Sequence, residues 1–79
     1  AYDSLRQRVI RTLCELHEKF KNQEEVSKIT LTREEISKYI GTARESFIRI
    51  MSELKDKEAI EIIDGDIVIK NIQKLEAVK

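Results

Sequence analysis

Apolar residues recur at intervals of three and four along the N-terminal part of the chain, the spacing that gathers them on one side of an α-helix. They are Leu5, Val9, Ile10, Leu13, Leu16 and Phe20. We therefore predict a first helix from Ser4 to Lys21. The polar stretch from Asn22 to Glu25 interrupts this period, and the β-branched residues after it predict a short strand over Lys28 to Leu31.

A second helix is predicted from Arg33 to Ile40. Thr32 precedes it and Glu35 follows three positions later, the spacing of a capping box that satisfies free amides at a helix start. The buried face of this helix is assigned to Ile36, Tyr39 and Ile40. Gly41 is expected to end the helix, because glycine accepts the left-handed backbone that turns the chain sharply.

The third helix is predicted over residues 43–57, with Thr42 as its cap and Glu45 completing a second capping box. Its apolar stripe consists of Phe47, Ile50, Met51 and Leu54. A β-hairpin follows, with strands over Ile60 to Ile63 and Ile67 to Ile69, because Asp64-Gly65-Asp66 between β-branched runs is a strong turn signal. A final short helix is expected between Asn71 and Val78.

Two short helices joined by a tight turn and followed by a hairpin predict an α+β winged helix-turn-helix fold. It has a three-helix core, a short strand and a C-terminal hairpin as the wing. We expect residues 1–79 to form one domain, with the helix-turn-helix at 33–57 and the wing at 60–70. Because the chain starts at Ala1 rather than at methionine, we expect it to be a C-terminal piece of a longer protein, without its N-terminal effector domain.

Composition restricts the function further. Fifteen basic and fifteen acidic residues give a formal net charge of zero, so nucleic-acid binding has to depend on where the charges lie. The single cysteine, Cys14, excludes an internal disulfide and favours a cytoplasmic location. No leader, membrane-length apolar run, catalytic spacing of serine, histidine and acid, phosphate-binding glycine loop or metal-ligand cluster occurs in the sequence. We therefore expect no enzyme activity and no cofactor in this chain.

The exposed side of the third helix is the candidate for reading DNA. At about 100° per residue, its polar side covers an arc of roughly 140°. This side carries Arg44, Glu45, Ile48, Arg49 and Ser52. Arginine can donate two hydrogen bonds to guanine, glutamate can accept one from cytosine, and isoleucine can contact a thymine methyl group. We therefore predict Arg44, Glu45, Ile48 and Arg49 as base contacts in double-stranded DNA.

The chain resembles the DNA-binding domain of the Crp/Fnr family of bacterial transcription regulators. The resemblance rests on Leu31-Thr32-Arg33-Glu34-Glu35-Ile36, on Ile40-Gly41-Thr42-Ala43-Arg44-Glu45-Ser46, on Arg49 and Leu54, and on the wing from Ile60 to Ile69. It implies that Arg44, Glu45 and Arg49 contact bases and that phosphates lie near Thr32, Thr42, Ser46 and Gly65. It also implies a homodimer that reads a palindrome, an effector-binding β-barrel joined through a long dimerisation helix, and RNA polymerase as a further partner.

Three positions depart from the pattern of the family. Ala43 stands where relatives often have a hydroxyl residue, and Ile48 stands at a position that is usually small. Glu58 replaces the glycine that commonly ends the recognition helix, so we expect a different route into the wing.

Several residues have a structural alternative. The Glu45 carboxylate could serve the second capping box, and Arg44 and Arg49 could be solvated surface charges. Lys38 is predicted to contact phosphate. An ion pair with Glu34 or Glu35 on the surface is an equal alternative, and the same holds for Arg33. His17 and Cys14 are interpreted as core or boundary residues, with no partner set evident for His17. The alternative function is a winged-helix adaptor that binds proteins instead of DNA.

Overall fold

The structure is a computed structural model that describes residues 2–78, and the side chains of residues 4–78. Its helices and strands follow the predicted order and confirm the winged helix-turn-helix architecture. In chain order they are α1 (Tyr2–Phe20), β1 (Ser27–Ile29), α2 (Arg33–Ile40), α3 (Arg44–Asp56), β2 (Glu61–Ile63), β3 (Asp66–Ile69) and α4 (Ile72–Ala77). Among the described residues, no helix is both long and apolar enough to cross a membrane.

The first strand lies slightly earlier than predicted. The sequence predicted it over Lys28 to Leu31, whereas β1 pairs with β3 from Ser27 to Ile29. Ser27 also forms an isolated bridge with Lys21, which explains why α1 ends at Phe20 and not at Lys21. The chain then leaves the sheet, because Thr32 has to take the N-cap position of α2.

Helix α2 has the bounds that the sequence predicted, and both of its ends are closed by local hydrogen bonds. The Thr32 hydroxyl oxygen accepts from the Glu35 N–H at 3.0 Å, and Glu35 Oε1 accepts from the Thr32 N–H at 2.9 Å. Gly41 has a φ of 78°, the left-handed conformation expected of it. The Gly41 and Thr42 N–H groups donate to the last carbonyl groups of the helix, including that of Ser37.

The predicted capping box at the start of α3 is wrong. Ala43 is the N-cap residue, and it provides no side-chain hydrogen bond. The Thr42 N–H donates to the Ser37 carbonyl at 3.1 Å in the turn that ends α2, so it is not available to the Glu45 carboxylate for a capping box. The helix therefore runs from Arg44 to Asp56, slightly shorter than the predicted 43–57.

Glu58 takes the conformation that a glycine would take at the end of α3. Its φ is 60°. Its N–H donates to Lys55 at 2.9 Å, and the Ala59 N–H donates to Leu54 at 2.9 Å, the paired bonds of a Schellman motif. The departure at Glu58 thus leaves the usual left-handed route into the wing intact, contrary to the expectation from the sequence.

The strands form an antiparallel sheet in the order β1, β3, β2. The hairpin prediction is confirmed, with strands at Glu61–Ile63 and Asp66–Ile69 instead of the ranges starting at Ile60 and Ile67. Asp64 and Gly65 form the two-residue turn, and both have positive φ values, of 52° and 83°. Positive φ at both central residues is the geometry of a type I′ turn, which suits the twist of a two-stranded hairpin.

The core lies between the helices and the inner face of the sheet. Its completely buried members include Val9, Leu13, Ile29, Ile36, Phe47, Ile50, Leu54, Ile67, Ile69 and Leu75. The prediction that Tyr39 belongs to the buried face of α2 is wrong, since Tyr39 is 68% exposed. Ile36, Ser37 and Ile40 form that face, and Tyr39 is rotated from Ile40 by about 100° toward solvent.

His17 is a core residue with a partner that the sequence did not reveal. It is 1% exposed, and its Nδ1 shares a hydrogen bond of 2.7 Å with the buried Ser27 hydroxyl. This bond connects α1 to β1. Cys14 is half-buried at the edge of the core, and burial, followed by the charges of Glu76 and Glu15, raises the pKa of its thiol. A raised pKa keeps the thiol protonated and unreactive at neutral pH.

Candidate nucleic-acid interface

The helix-turn-helix presents one side of α3 to solvent. Phe47, Ile50, Met51 and Leu54 hold the other side of the helix in the core. The side chains of Arg44, Glu45, Ile48, Arg49 and Ser52 are all exposed, as the periodicity predicted. Ile48 is 37% exposed, an unusual position for a large apolar side chain. We call these five residues the reading face.

The charged side chains of the reading face have no competing partners among the side chains that the structure describes. Among residues 4–78, Arg44, Glu45 and Arg49 form no ion pair and no side-chain hydrogen bond. The structural alternative for Glu45 is thereby removed, because Ala43 is the N-cap and no capping box forms there. These three side chains are available for a ligand at the start of α3.

A shallow groove lies between the reading face and the wing. The described residues that line it are Arg33, Arg44, Ile48, Met51, Ser52, Lys55 and Ile62. Three of these residues are cationic and none is acidic, although acidic and basic residues are equally numerous in the chain. The groove is therefore a locally positive surface on a protein without net charge, and it can attract an anionic polymer.

The predicted phosphate contacts lie at the ends of α2 and α3 and at the tip of the wing. The Thr32 hydroxyl caps α2, Thr42 and Ser46 flank the first turn of α3, and Gly65 is exposed in the wing. Because Ala43 offers no side-chain acceptor, the first N–H groups of α3 receive no capping bond and can face an anion.

Lys38 and Arg33 differ in how they are paired. Lys38 Nζ lies 3.6 Å from Glu34 Oε1, and both side chains are exposed, so the surface-pairing alternative describes its contact in the structure. Such an exposed pair is weak and can exchange for a phosphate contact. Arg33 forms no ion pair among the described side chains and lines the groove.

The wing has an acidic tip and cross-strand ion pairs. Asp64 is exposed in the turn, whereas Asp66 pairs with Lys28 of β1 at 3.6 Å. Lys70 and Glu61 form a second pair across the strands at 3.3 Å. The lysines of the sheet are thus engaged with carboxylates, in contrast to the cations that line the groove.

Helix α1 fixes the relative positions of α2 and α3. Arg6 of α1 contacts Glu53 of α3, with Nη2 at 3.1 Å and Nε at 3.2 Å from Glu53 Oε2. Arg8 donates to the Ile40 carbonyl at the end of α2, where a cation also meets the negative end of the helix dipole. Helix α1 therefore contacts both helices of the helix-turn-helix through these two arginines.

A family model described as the Crp-like helix-turn-helix domain matches residues 7–78. The chain belongs to the Crp-like helix-turn-helix family. Domains of this family bind DNA in transcription regulators and are typically non-enzymatic. No curated protein sequence matches the chain.

Two solved structures share the fold of this Crp-like domain. Reduced CprK in the absence of any ligand gives a TM-score of 0.76 at 14% sequence identity, with 95% of this chain and 38% of that chain covered. A cysteine-to-serine variant of CprK gives a TM-score of 0.74 at 18% identity, with 94% and 38% covered. At these identities the likeness concerns the fold alone, and the Crp-like chain spans 38% of the length of these structures.

One cation of the groove in this Crp-like domain, Lys55, is not among the predicted DNA contacts. Counted at about 100° per residue, Lys55 lies roughly 20° from Arg44, inside the arc that defines the reading face. It is exposed and lines the groove beside Ser52 and Ile62. Helical periodicity alone places Lys55 in this arc, but it lies near the end of the predicted helix, six residues beyond the last predicted base contact at Arg49.

Proposed function

We propose that this chain binds double-stranded DNA in a sequence-specific manner and thereby controls transcription. Helix α3 enters the major groove, and the β2–β3 hairpin contacts the adjacent backbone. The observation that carries this proposal is the reading face, which presents two unpaired arginines and an unpaired glutamate on the exposed side of a Crp-like helix. An α-helix of this kind fits the major groove, where each base pair displays a distinct hydrogen-bonding pattern.

Four residues of the reading face have a defined role in this proposal. Arg44 and Arg49 donate hydrogen bonds to guanine, Glu45 accepts from the cytosine amino group, and Ile48 contacts a thymine methyl group. A well-formed pair of arginine–guanine hydrogen bonds contributes roughly 1–3 kcal/mol of discrimination against the wrong base. The half-site is therefore expected to contain guanine.

Phosphate contacts hold the helix in register on the duplex. Thr42 and Ser46 flank the uncapped start of α3, and Thr32 lies at the start of α2, where helix amides favour an anion. Lys38 contributes by exchanging Glu34 for a phosphate, and Gly65 allows the wing tip to approach the backbone closely. These contacts position the domain without reading sequence.

The complete regulator is proposed to be a cytoplasmic homodimer. Residues 1–79 form its DNA-binding domain, with the helix-turn-helix at 33–57 and the wing at 60–70, and an effector-binding domain precedes them. Two copies would read the two halves of a palindrome one helical turn apart. A single domain binds weakly because it lacks the second contact that raises the effective concentration. RNA polymerase is a partner of the assembled regulator.

The proposal is tested by selecting binding sites from random duplexes at low ionic strength. The wild-type chain is compared with an Arg44→Ala/Arg49→Ala variant and with an Arg11→Ala/Lys19→Ala control. The control removes the same charge from exposed residues of α1, outside the reading face. We expect the wild type and the control to enrich the same guanine-containing half-site, and the reading-face variant to enrich none.

A library that stays flat for all three proteins would contradict sequence-specific binding. In that case the adaptor function, in which the domain contacts another protein instead of DNA, would replace it. Equal enrichment by the wild type and the reading-face variant would show that DNA is read by other residues.

A further inference from the structure

Lys55 occupies a position on α3 that differs from that of the residues proposed to read bases. Arg44 to Arg49 span about 7.5 Å along the helix axis, at 1.5 Å per residue, which fits within a major groove roughly 12 Å wide. Lys55 lies about 9 Å further along the axis than Arg49 but on the same side of the helix as Arg44. When the start of α3 is in the groove, Lys55 lies at the level of the groove wall, where the phosphates are.

The surroundings of Lys55 suit a phosphate. It lines the groove between α3 and the wing together with Ser52 and the half-buried Ile62 of β2, and no carboxylate lines this groove among the described residues. Its ammonium group forms no ion pair with any side chain of residues 4–78. The next residue, Asp56, is rotated from Lys55 by about 100° and does not line the groove.

The neighbouring lysines are paired. On the other side of Lys55 a second pocket contains Lys70 and Lys74, which lie 3.3 Å from Glu61 and 3.9 Å from Glu58. Lys55 borders this pocket as well, and yet it forms no ion pair with a carboxylate among the side chains of residues 4–78. Its charge is therefore available to a ligand, unlike those of Lys70 and Lys74.

We propose that Lys55 binds a phosphate of the DNA strand that runs between α3 and the wing. This contact limits how far α3 enters the major groove and sets the angle between the helix and the duplex. Lysine binds phosphate as a flexible point charge, so the contact does not depend on base sequence. The proposal rests on the proposed function, because it requires α3 to lie in the major groove.

The test is the salt dependence of binding to fluorescently labelled duplexes. Binding of the wild-type chain is titrated against the selected duplex and an unrelated duplex at several salt concentrations. Each phosphate contact contributes about −0.9 to the slope of log K against log salt. We expect Lys55→Gln to reduce the magnitude of this slope by about 0.9 and to weaken binding by the same factor on both duplexes. Lys55→Arg, which keeps the charge, should retain the wild-type slope.

Lys57→Gln is the matched control, since Lys57 is exposed, equally charged and outside the groove. It should leave the slope unchanged, and circular dichroism should show that all variants are folded. A wild-type slope in Lys55→Gln, or a loss confined to the selected duplex, would overturn the role of Lys55 while leaving the proposed function in place. Absence of wild-type binding to either duplex would overturn both.

Discussion

Replacing Glu58 with glycine should stabilise the domain, although the substitution removes a whole side chain. Glu58 is a left-handed residue with a φ of 60°, held by the hydrogen bonds that end α3. The Glu58 side chain is exposed, and its Oε2 lies 3.9 Å from Lys74 Nζ. The residue therefore contributes little by contact and is strained in its backbone.

The magnitude follows from three opposing effects. A residue with a Cβ atom loses roughly 1–2 kcal/mol in the left-handed conformation, and glycine avoids this loss. Glycine costs roughly 0.4–1 kcal/mol through the greater freedom of the unfolded chain. Loss of the exposed pair with Lys74 costs roughly 0.2–1 kcal/mol at most. At the midpoints of these ranges the expected net gain for Glu58→Gly is about 0.2 kcal/mol, which corresponds to a rise in Tm of roughly 1–2 °C for a domain of this size.

Lys57→Gly is the control for Glu58→Gly. Lys57 has a φ of −85°, which any residue adopts, so glycine there brings only its entropic cost. Urea and thermal unfolding of both variants should place Glu58→Gly above the wild type and Lys57→Gly below it. When the free energies of unfolding of the two variants are subtracted, the entropic cost of glycine cancels. The remainder is the left-handed strain at Glu58 minus the small contribution of its ion pair with Lys74. Equal destabilisation by both substitutions would refute the reasoning.

Three further predictions concern the interior and the helix caps. Ser27→Ala should lower the free energy of unfolding by roughly 1–3 kcal/mol, measured in urea, because it leaves His17 Nδ1 buried without its partner; a change near zero would contradict this. The pKa of Glu35 is lowered, chiefly by the hydrogen bond from the Thr32 N–H, so its contribution to stability is present above the ordinary carboxyl pKa and is lost as pH falls through the lowered value. Glu35→Gln should therefore flatten the stability of the domain between neutral and acidic pH, and an unchanged profile would count against the capping contact. Cys14 should react with a disulfide reagent more slowly at pH 8 in the folded chain than in urea, because burial raises its pKa; equal rates would argue against this.

The parts of the fold that were predictable depend on local signals. The capping box at Thr32 and the turn at Gly41 fixed the bounds of α2, because both act through residues close in sequence. The same rule failed at Thr42, whose N–H is already used by the turn that ends α2. In a tight connection between two helices, the same backbone group can serve the end of the first helix or the start of the second. The sequence pattern does not show which of the two hydrogen bonds forms.

The remaining errors come from contacts between distant segments. Tyr39 fits the apolar period of α2. Which side of α2 faces the core, however, depends on how the helix packs against the other helices, and its own eight residues do not determine this packing. The partner of His17 lies in β1, and pairing of two polar side chains across the core leaves no periodic signal. The exposed side of α3 was predictable as a face, because one residue per 100° is a property of the helix itself.

Two of the arginines of α1, Arg6 and Arg8, connect that helix to the other two helices of the core. Arg6 is fastened to α3 through Glu53, and Arg8 is fastened to the end of α2 through the Ile40 carbonyl. Because both contacts start from the same helix, α2 and α3 are connected to α1 and, through it, to each other.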